Sequence, residues 1–265
     1  MRDRINGILI ALLPIVAFLI IWEALARTGN ISILLSSPAG VADAFIDLMS
    51  QRSANGYPLL MMHIAYSFYE LLMGFAIAFL LGISLGMLAG RKAMVYRFID
   101  PIITLFMPIP GIAWAPIFLI WFGFGAPTII AVVVLVSFFP IFYNTASGVK
   151  SVDKKLIKAA EIMGADDWAI FLKVLIPGAT ANIVTGIKLV FAKGWRTVIA
   201  VEMIASTLWG LGFMIFDARD YLQPSIIFCG IIVLVVIYLI IENLILKQIE
   251  NRTIVRWGMT REGSL

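Results

Sequence analysis

The fold is governed by the uncharged run 101-PIITLFMPIPGIAWAPIFLIWFGFGAPTIIAVVVLVSFFPIFYNTASGV-149. A helix needs about 20 apolar residues to cross a hydrocarbon core of roughly 30 Å, so this run is too long for one crossing. Near its middle lies the turn signal Gly123-Phe124-Gly125-Ala126-Pro127, and glycine and proline interrupt helices. The run therefore predicts two membrane spans, at about residues 101–122 and 127–148.

Three other uncharged gaps have the length of a single crossing. They lie between Arg4 and Glu23, between Glu70 and Arg91, and between Asp220 and Glu242. A sixth span must lie between residues 177 and 206, although four charged residues interrupt it. We therefore expect an all-α polytopic membrane protein with one transmembrane domain over residues 1–265. Its six spans are predicted at about 5–26, 61–90, 101–122, 127–148, 178–206 and 221–246.

The composition supports a membrane protein and excludes several other classes. Apolar residues make up 62% of the chain and charged residues 14%, whereas soluble domains are about half apolar and a quarter charged. Disorder and a coiled coil are excluded by this balance. The single cysteine, Cys229, excludes an internal disulfide, and the single histidine, His63, excludes a multi-histidine metal site. We expect no metal site and interpret His63 as an interfacial polar residue.

The basic residues follow the membrane topology. Six spans place both termini on one side, and fourteen Lys and Arg residues fall on that side against three on the other. Because cytoplasmic loops carry an excess of Lys and Arg, both termini are predicted to be cytoplasmic. The formal net charge of +4 therefore needs no nucleic-acid partner.

Two segments predict helix packing. Ser36-Ser37-Pro38 has a capping serine and a proline suited to the first turn of a helix. The amphipathic helix that follows lies at the membrane interface or packs between spans, and the sequence leaves both open. Gly82-x-x-x-Gly86-x-x-x-Gly90 in the second span predicts a groove that another helix can approach closely. The apolar face predicted for the first of these helices comprises Val41, Ala44, Phe45, Leu48 and Met49.

The third span contains an unusual cluster of prolines. Pro108, Pro110 and Pro116 surround Gly111 and Trp114. Proline breaks helices, and a broken helix at membrane depth is tolerated only when it is buried in protein or lines a cavity. The cluster therefore favours a segment that lines a pathway, with an ordinary kink as the alternative.

The loop at 150–177 predicts a helical hairpin on the cytoplasmic side. Gly164 is a candidate for the end of one helix and is expected to have a positive φ angle. Asp166 is expected to cap a second helix that ends at Pro177. Exposed apolar residues on such a hairpin pack against the spans or dock a cytoplasmic protein, and the pattern alone does not decide between these.

At this hairpin the sequence resembles a known family. Lys158-Ala159-Ala160-x-x-x-Gly164-Ala165, followed by Val174-Leu175-Ile176-Pro177, resembles the EAA motif of binding-protein-dependent ABC importer permeases. Other segments resemble the branch that handles sulfonates, taurine and nitrate. Among them are Pro108-Ile109-Pro110, Ala113-Trp114-x-Pro116, Trp121-Phe122-Gly123-x-Gly125, Glu202-Met203 and Gly210-Leu211-Gly212.

The resemblance implies a permease subunit of the bacterial cytoplasmic (inner) membrane. Two such subunits, expected as a homodimer, would form the pathway, with ATPase subunits below and an extracytoplasmic solute-binding protein above. ATP and Mg would bind to the ATPase, and this chain would hold no cofactor. The family's motif usually opens with Glu, where this chain has Lys158. The residues that the resemblance assigns to ATPase coupling are Lys158, Ala159, Ala160, Glu161, Met163, Gly164, Ala165 and Trp168.

Enzymatic activity is not expected of this chain. It contains no G-x-x-x-x-G-K-[ST] phosphate loop, and no paired-carboxylate or histidine-rich cluster is evident in the spans. The remaining alternative is an ion-coupled secondary transporter. Such transporters often contain inverted repeats, and no convincing repeat relates the two halves of this chain.

The fifth span carries charges at membrane depth. A span that starts near Asn182 places Lys193 about 16 Å along the helix, where a charge costs roughly 2.5–3.5 kcal/mol or more. Arg196 shares its face, because the two residues are three apart. We expect both to face the pathway and attract a small anion, although pairing with Glu202 or another carboxylate is an equal alternative. The predicted pathway residues are Pro108, Pro110, Trp114, Pro116, Lys193, Arg196 and Glu202.

Overall fold

The computed structural model describes residues 2–28 and 35–250, and the secondary structure of these residues is helical. No β-strand occurs among them, and Arg52 and Pro58 form an isolated bridge. The all-α expectation is confirmed. In chain order the α-helices are α1 Arg2–Arg27, α2 Pro38–Ser50, α3 Leu59–Arg91, α4 Ala93–Phe106, α5 Ala115–Phe122, α6 Ala126–Ser151, α7 Lys154–Ile162, α8 Asp167–Ile170, α9 Ile176–Ala205, α10 Leu211–Asp220, α11 Pro224–Ile241 and α12 Lys247–Glu250.

Four helical stretches of the described chain are long and apolar enough to cross a membrane, and the bent pair of α4 with Gly111–Phe122 makes a possible fifth. Helix α1 covers the first predicted span. The count of six therefore stays a prediction, and the basic tail residues Arg252, Arg256 and Arg261 lie outside the described residues. The four stretches are Leu59–Arg91, Ala126–Ser151, Asp167–Ala205 and Pro224–Leu244.

The third predicted span is broken at its proline cluster. Helix α4 begins at Ala93 and ends at Phe106. After a bend of 92° the stretch Gly111–Phe122 follows, which consists of a 3-10 turn over Gly111–Trp114 and of α5. Pro108 and Pro110 cannot donate the backbone hydrogen bonds that would extend α4. Pro116, by contrast, lies in the first turn of α5, where proline is favoured.

A glycine turn separates this broken segment from α6, as the sequence predicts. Gly123 and Gly125 have φ angles of +74° and +109°, a region that L-residues with side chains rarely occupy. The N–H of Gly125 donates to the carbonyl oxygen of Ala205 at 2.7 Å. The hydroxyl of Thr128 donates to the carbonyl oxygen of Gly123 at 2.6 Å. These bonds fix the turn against the end of α9.

The described chain forms two compact units, and the larger comprises Ser67–Thr207 and the described residues from Ile237 to Glu250. Its core is made by α3, α6 and α9, which contribute the buried residues Ala78, Ile141 and Val190 to one cluster. The predicted glycine groove of α3 receives α6. A Cβ at Gly86 would lie 2.8 Å from the carbonyl oxygen of Phe142. Close backbone approach therefore sets the packing of these helices.

The predicted hairpin of α7 and α8 is present. Asp153 and Asp166 cap the two helices by accepting hydrogen bonds from the N–H groups of Lys155 and Ala169, at 2.8 and 2.7 Å. The expected end at Pro177 is wrong, because a π-helical turn over Phe171–Leu175 joins α8 to α9. Within this turn the Ile176 N–H donates to the Phe171 carbonyl, five residues back, so the regular α-helical pattern is already interrupted before Pro177.

The smaller unit comprises the described residues up to Tyr66, together with Leu208–Val236. Ser37 caps α2 by accepting a hydrogen bond from the Gly40 N–H at 3.1 Å, as the sequence predicts. Phe45 of the predicted apolar face is 44% exposed. His63 is 8% exposed, and its Nδ1 lies 2.9 Å from the Gly210 carbonyl oxygen; its place at the membrane interface stays a prediction. On α2 the buried side chains are Val41, Ala44 and Leu48.

Candidate functional site: a cationic cavity and an exposed hairpin

A cavity of about 290 Å³ lies within the larger unit, where the broken segment meets α6 and α9. A Cβ at Gly111 would lie 2.7 Å from Val136 Cγ2 and 3.0 Å from Thr197 Cγ2. The backbone of the broken segment therefore rests directly on both helices. The lining residues are Met107, Pro108, Ile109, Pro110, Gly111, Trp114, Leu135, Val136, Phe139, Pro140, Lys193, Arg196 and Thr197.

The charge of the cavity comes from α9. Lys193 and Arg196 are both exposed, and the described lining contains these two cations and no carboxylate. Among the residues that the structure describes, neither cation forms an ion pair. The predicted partner Glu202 is fully buried and does not line the cavity.

Aromatic contacts hold the broken segment in place beside the cavity. The Trp114 ring lies 5.4 Å from the Phe106 ring and 6.3 Å from the Phe118 ring, measured between centroids. These contacts connect the 3-10 turn to the end of α4 and to α5. Trp114 is thus fixed at the cavity wall by side chains from both halves of the bent pair.

Five of the seven predicted pathway residues meet at the cavity: Pro108, Pro110, Trp114, Lys193 and Arg196. Pro116 and Glu202 do not line it. Pro116 is exposed in the first turn of α5, because it begins that helix rather than breaking one. Sequence reasoning missed Val136, Phe139 and Thr197. Thr197 could have been found from its spacing, since it follows Lys193 by one helical turn.

A second, polar cavity of about 380 Å³ lies further along α6 and was not expected from the sequence. The Lys150 Nζ lies 3.0 Å from the centre of the Tyr96 ring, a cation–π contact. The Tyr143 hydroxyl donates to Asp100 Oδ1 at 2.7 Å. Tyr96, Tyr143, Asn144, Ser147 and Lys150 line this cavity.

The hairpin has an inner and an outer face. Ala160 is 6% exposed and packs with Ile170 and Leu175, so it anchors the hairpin to the helices beneath it. It is therefore not available to a partner, contrary to expectation, and Ala165 is half-buried. The outer face includes Ile162, which the motif comparison missed. The exposed residues of the predicted set are Lys158, Ala159, Glu161, Met163, Gly164 and Trp168.

Gly164 shapes the outer face of the hairpin. Its φ angle is +80°, which confirms the expected positive value. Its N–H donates to the Glu161 carbonyl, and the Ala165 N–H donates to the Ala160 carbonyl, both at 3.0 Å. This pair of bonds is the Schellman arrangement that ends helices at a left-handed residue. Met163 next to it is 80% exposed.

The hairpin is also connected to the end of α3. Arg91 forms an ion pair with Asp167 of α8. Because Asp167 is 84% exposed at its side chain, this pair positions the hairpin more than it stabilises the fold. The ring of Trp168 on α8 stacks on the ring of Phe171 in the π-helical turn, with centroids 5.4 Å apart. The stack gives the exposed Trp168 a defined orientation.

The comparison with protein families now identifies the chain. Residues 78–253 match the model described as "Binding-protein-dependent transport system inner membrane component". The chain belongs to this family. The matched residues include the broken segment, both cavities and the hairpin. The chain is therefore a permease subunit of an ABC importer, a membrane-spanning transport component rather than an enzyme, and such a permease works with ATPase subunits and a binding protein.

Curated relatives cover nearly the whole permease. The putative aliphatic sulfonates transport permease protein SsuC of Bacillus subtilis (strain 168) is 30% identical over 99% of this chain and 92% of its own length. The taurine transport system permease protein TauC of Escherichia coli (strain K12) is 33% identical over 88% and 84%. The bicarbonate transport system permease protein CmpB of Synechococcus elongatus is 28% identical over 92% and 89%.

The permease fold also matches a solved transporter. An inward-facing structure of the MetNI methionine ABC transporter aligns with a TM-score of 0.54 and 20% identity, over 72% of this chain and 94% of that chain. At this identity the likeness shows the fold alone. The alternative of an ion-coupled secondary transporter is excluded by the family.

Proposed function

We propose that this permease moves a small anionic solute into the cytoplasm, and that the solute passes Lys193 and Arg196. The observation that carries the proposal is the cavity itself, whose described lining holds two cations and no carboxylate. Charges inside a membrane protein are expensive unless they have a role or a partner. An anion that enters this cavity would supply the missing negative charge.

The relatives support the same class of solute. The names of three relatives refer to aliphatic sulfonates, taurine and bicarbonate. Each of these carries a sulfonate or carboxylate-like oxyanion. An arginine guanidinium recognises such groups through paired hydrogen bonds, and a lysine adds a point charge. The chemistry of Arg196 and Lys193 therefore agrees with an oxyanion.

The route beyond the first cavity would follow α6. Val136, Pro140, Tyr143, Ser147 and Lys150 recur every three or four residues, so they lie along one face of this helix. The first two line the cationic cavity and the other three line the polar cavity. We infer that a solute leaving Arg196 meets hydroxyl groups and then the Lys150 ammonium. This continuity along one helix supports a pathway rather than an isolated pocket.

Assembly would complete the pathway. Lys193 and Arg196 are exposed at the surface of this chain. This exposure supports a homodimer in which a second permease subunit closes the cavity from the other side. The solute-binding protein would deliver the anion from outside, and both termini would lie in the cytoplasm. ATP and Mg would bind only to the partner ATPase.

The hairpin would transmit ATPase movement to the helices. Ile162, Met163 and Trp168 are 87%, 80% and 65% exposed, and they offer an apolar surface for a groove of the ATPase. Ala160 on the inner face would pass the movement into the core formed with Ile170. Lys158, at the position where the family usually has Glu, would make the contact less acidic.

The proposal can be tested with Lys193→Met and Arg196→Met in the transporter reconstituted with its ATPase and binding protein. At an effective dielectric constant near 20, a cation 4 Å from an anion contributes on the order of 4 kcal/mol before desolvation. We therefore expect each replacement to reduce uptake of an alkanesulfonate, taurine or bicarbonate at least tenfold, with assembly and basal ATP hydrolysis retained.

Lys92→Met is the matched control, because Lys92 is exposed at the start of α4 and lines neither cavity. It should leave uptake unchanged. Full uptake by the Lys193→Met/Arg196→Met double variant would refute the proposal. A cognate solute that is a cation would refute it equally.

A further inference from the structure

The turn between α10 and α11, in the smaller unit, presents two large apolar side chains at the surface. Tyr221 and Leu222 are 69% and 75% exposed. Asp217, Arg219 and Asp220, at the end of α10, are exposed as well, and Arg219 pairs with Asp220 at 2.7 Å. Three charged side chains would be costly in hydrocarbon, so this turn faces water. The two apolar side chains therefore lie within a polar rim, as the central residues of protein interfaces do.

Leu222 has a backbone conformation that favours glycine. Its φ angle is +52°, the one positive value among the described residues other than glycine. Its N–H donates to the Arg219 carbonyl at 3.1 Å, and the Gln223 N–H donates to the Ala218 carbonyl at 2.8 Å. This is the Schellman arrangement that also ends α7, where the left-handed residue is Gly164. Leucine adopts this conformation at a cost in free energy. Because its side chain is exposed, that cost indicates a role outside the packing of this chain.

A polar cavity of about 390 Å³ lies beside the same turn. Its lining includes Ser225, which follows the turn in the first part of α11, and Ser36, and their hydroxyl oxygens lie 2.7 Å apart. Glu23 and Arg27 of α1 also line it and form an ion pair at 2.6 Å. Hydroxyl groups and charges of both signs offer hydrogen bonds to a polar side chain. The smaller unit thus combines a protruding apolar contact with a polar cavity.

The turn and the cavity belong to one side of the predicted topology. The turn lies between the fifth and sixth predicted spans, since α11 begins only at Pro224. Ser36 lies between the first and second predicted spans. With cytoplasmic termini, both segments are predicted to be outside. The contact of Ser36 with Ser225 joins the two segments, and the Trp22 indole N–H donates to the Ser36 carbonyl at 2.9 Å. The two segments therefore meet at the same end of the smaller unit, as this topology requires.

We propose that Tyr221 and Leu222 form a docking contact for the solute-binding protein, and that the cavity at Ser36 and Ser225 receives a polar side chain of that protein. The inference rests on the proposed topology, which places the turn outside. The family description names a dependence on a binding protein, and this partner approaches from the outer side. Docking removes the two apolar side chains from water, which favours association. The backbone cost at Leu222 is then retained for binding rather than for folding.

The test is a titration of the binding protein against the transporter complex in lipid vesicles, measured as stimulated ATP hydrolysis. Tyr221→Ala and Leu222→Asn should each raise the binding-protein concentration for half-maximal stimulation at least tenfold, with the maximal rate recovered at saturation. Because Asn tolerates a positive φ, Leu222→Asn should leave the thermal unfolding midpoint equal or higher. Weaker docking without loss of stability is a combination that a purely structural role of Leu222 would not produce.

Tyr57→Ala is the matched control, because Tyr57 is 63% exposed in the loop before α3 and does not line the cavity at Ser36. It should leave the half-maximal concentration unchanged. An equal rise in this control would overturn the proposal, and so would an unchanged value in the Tyr221→Ala/Leu222→Asn double variant. A lower unfolding midpoint with unchanged docking would show that the turn anchors the chain in lipid headgroups instead.

Thiol labelling separates failure of the docking contact from failure of the topology. In a variant without Cys229, a reagent that does not cross membranes should label Tyr221→Cys from outside, and added binding protein should slow the labelling. Labelling from the cytoplasmic side alone would refute the topology and the proposal with it. Labelling from outside that the binding protein does not slow would refute the docking contact and leave the topology intact.

Discussion

Substitutions of Gly164 test whether the hairpin depends on the left-handed backbone conformation of this residue or on the space around it. Its φ angle is +80°, and a Cβ added there would have no neighbour within 4 Å. Within this chain, the effect of a side chain therefore comes from backbone conformation alone. The left-handed conformation costs an L-residue roughly 1–2 kcal/mol, and the two hydrogen bonds that it supports contribute about 1 kcal/mol each.

The cost of the left-handed conformation and the stabilisation by the two hydrogen bonds are similar in size, so small differences decide whether the hairpin keeps its shape. A change of 1–2 kcal/mol alters a conformational ratio by roughly 5–30-fold. Asn tolerates positive φ better than Ala, and a β-branched residue tolerates it least. We expect coupling to fall in the order Gly164→Asn, Gly164→Ala, Gly164→Val, with transport abolished in the last.

The assay is solute-stimulated ATP hydrolysis and uptake by the reconstituted transporter, with the amount of inserted permease measured in parallel. Gly56→Val is a matched control, because Gly56 has φ +79° and no neighbour within 4 Å but lies in the loop before α3. It should leave coupling intact. If Gly164→Ala instead couples better than Gly164→Asn, side-chain volume in the ATPase groove controls the effect and the backbone reasoning is refuted.

Three further outcomes are expected. Gly86→Val should lower the free energy of unfolding of the permease by the roughly 1–3 kcal/mol typical of overpacking, since even a Cβ would sit 2.8 Å from the α6 backbone, and this appears as a lower thermal unfolding midpoint. Ala76→Val, at an exposed position of the same helix, should have little effect. Asp166→Ala should lower the stability of the hairpin by about 1 kcal/mol, because it removes the cap of α8. Amide hydrogen exchange should become faster in the hairpin alone, and exchange equal to wild type would contradict this. In a variant without Cys229, a thiol reagent that does not cross membranes should label Asn55→Cys from outside and Lys155→Cys only from the cytoplasmic side, and the reverse pattern would overturn the topology.

Much of the local structure follows from the sequence because local chemistry decides it. The caps at Ser37 and Asp166, the glycine turn at Gly125 and the positive φ of Gly164 all lie where the residue types predict them. Each feature depends on the conformational range or hydrogen-bonding groups of a few neighbouring residues. The helical end predicted at Pro177 is wrong because a π-helical turn, which has no simple sequence signal, carries the helix through.

The candidate site was only partly predictable from the sequence, because it depends on contacts between distant segments as well as on local chemistry. The sequence by itself determined that charges and clustered prolines lie at membrane depth, because composition and spacing are enough for that. Only the tertiary structure decided that Lys193 and Pro110 line one cavity, whereas Glu202 of the same helix is fully buried and does not line it. It also decided that Ala160 faces inward while Ile162 faces out. Which face of a helix meets which neighbour depends on packing between distant segments, and the spacing of residues along one helix does not specify its partner.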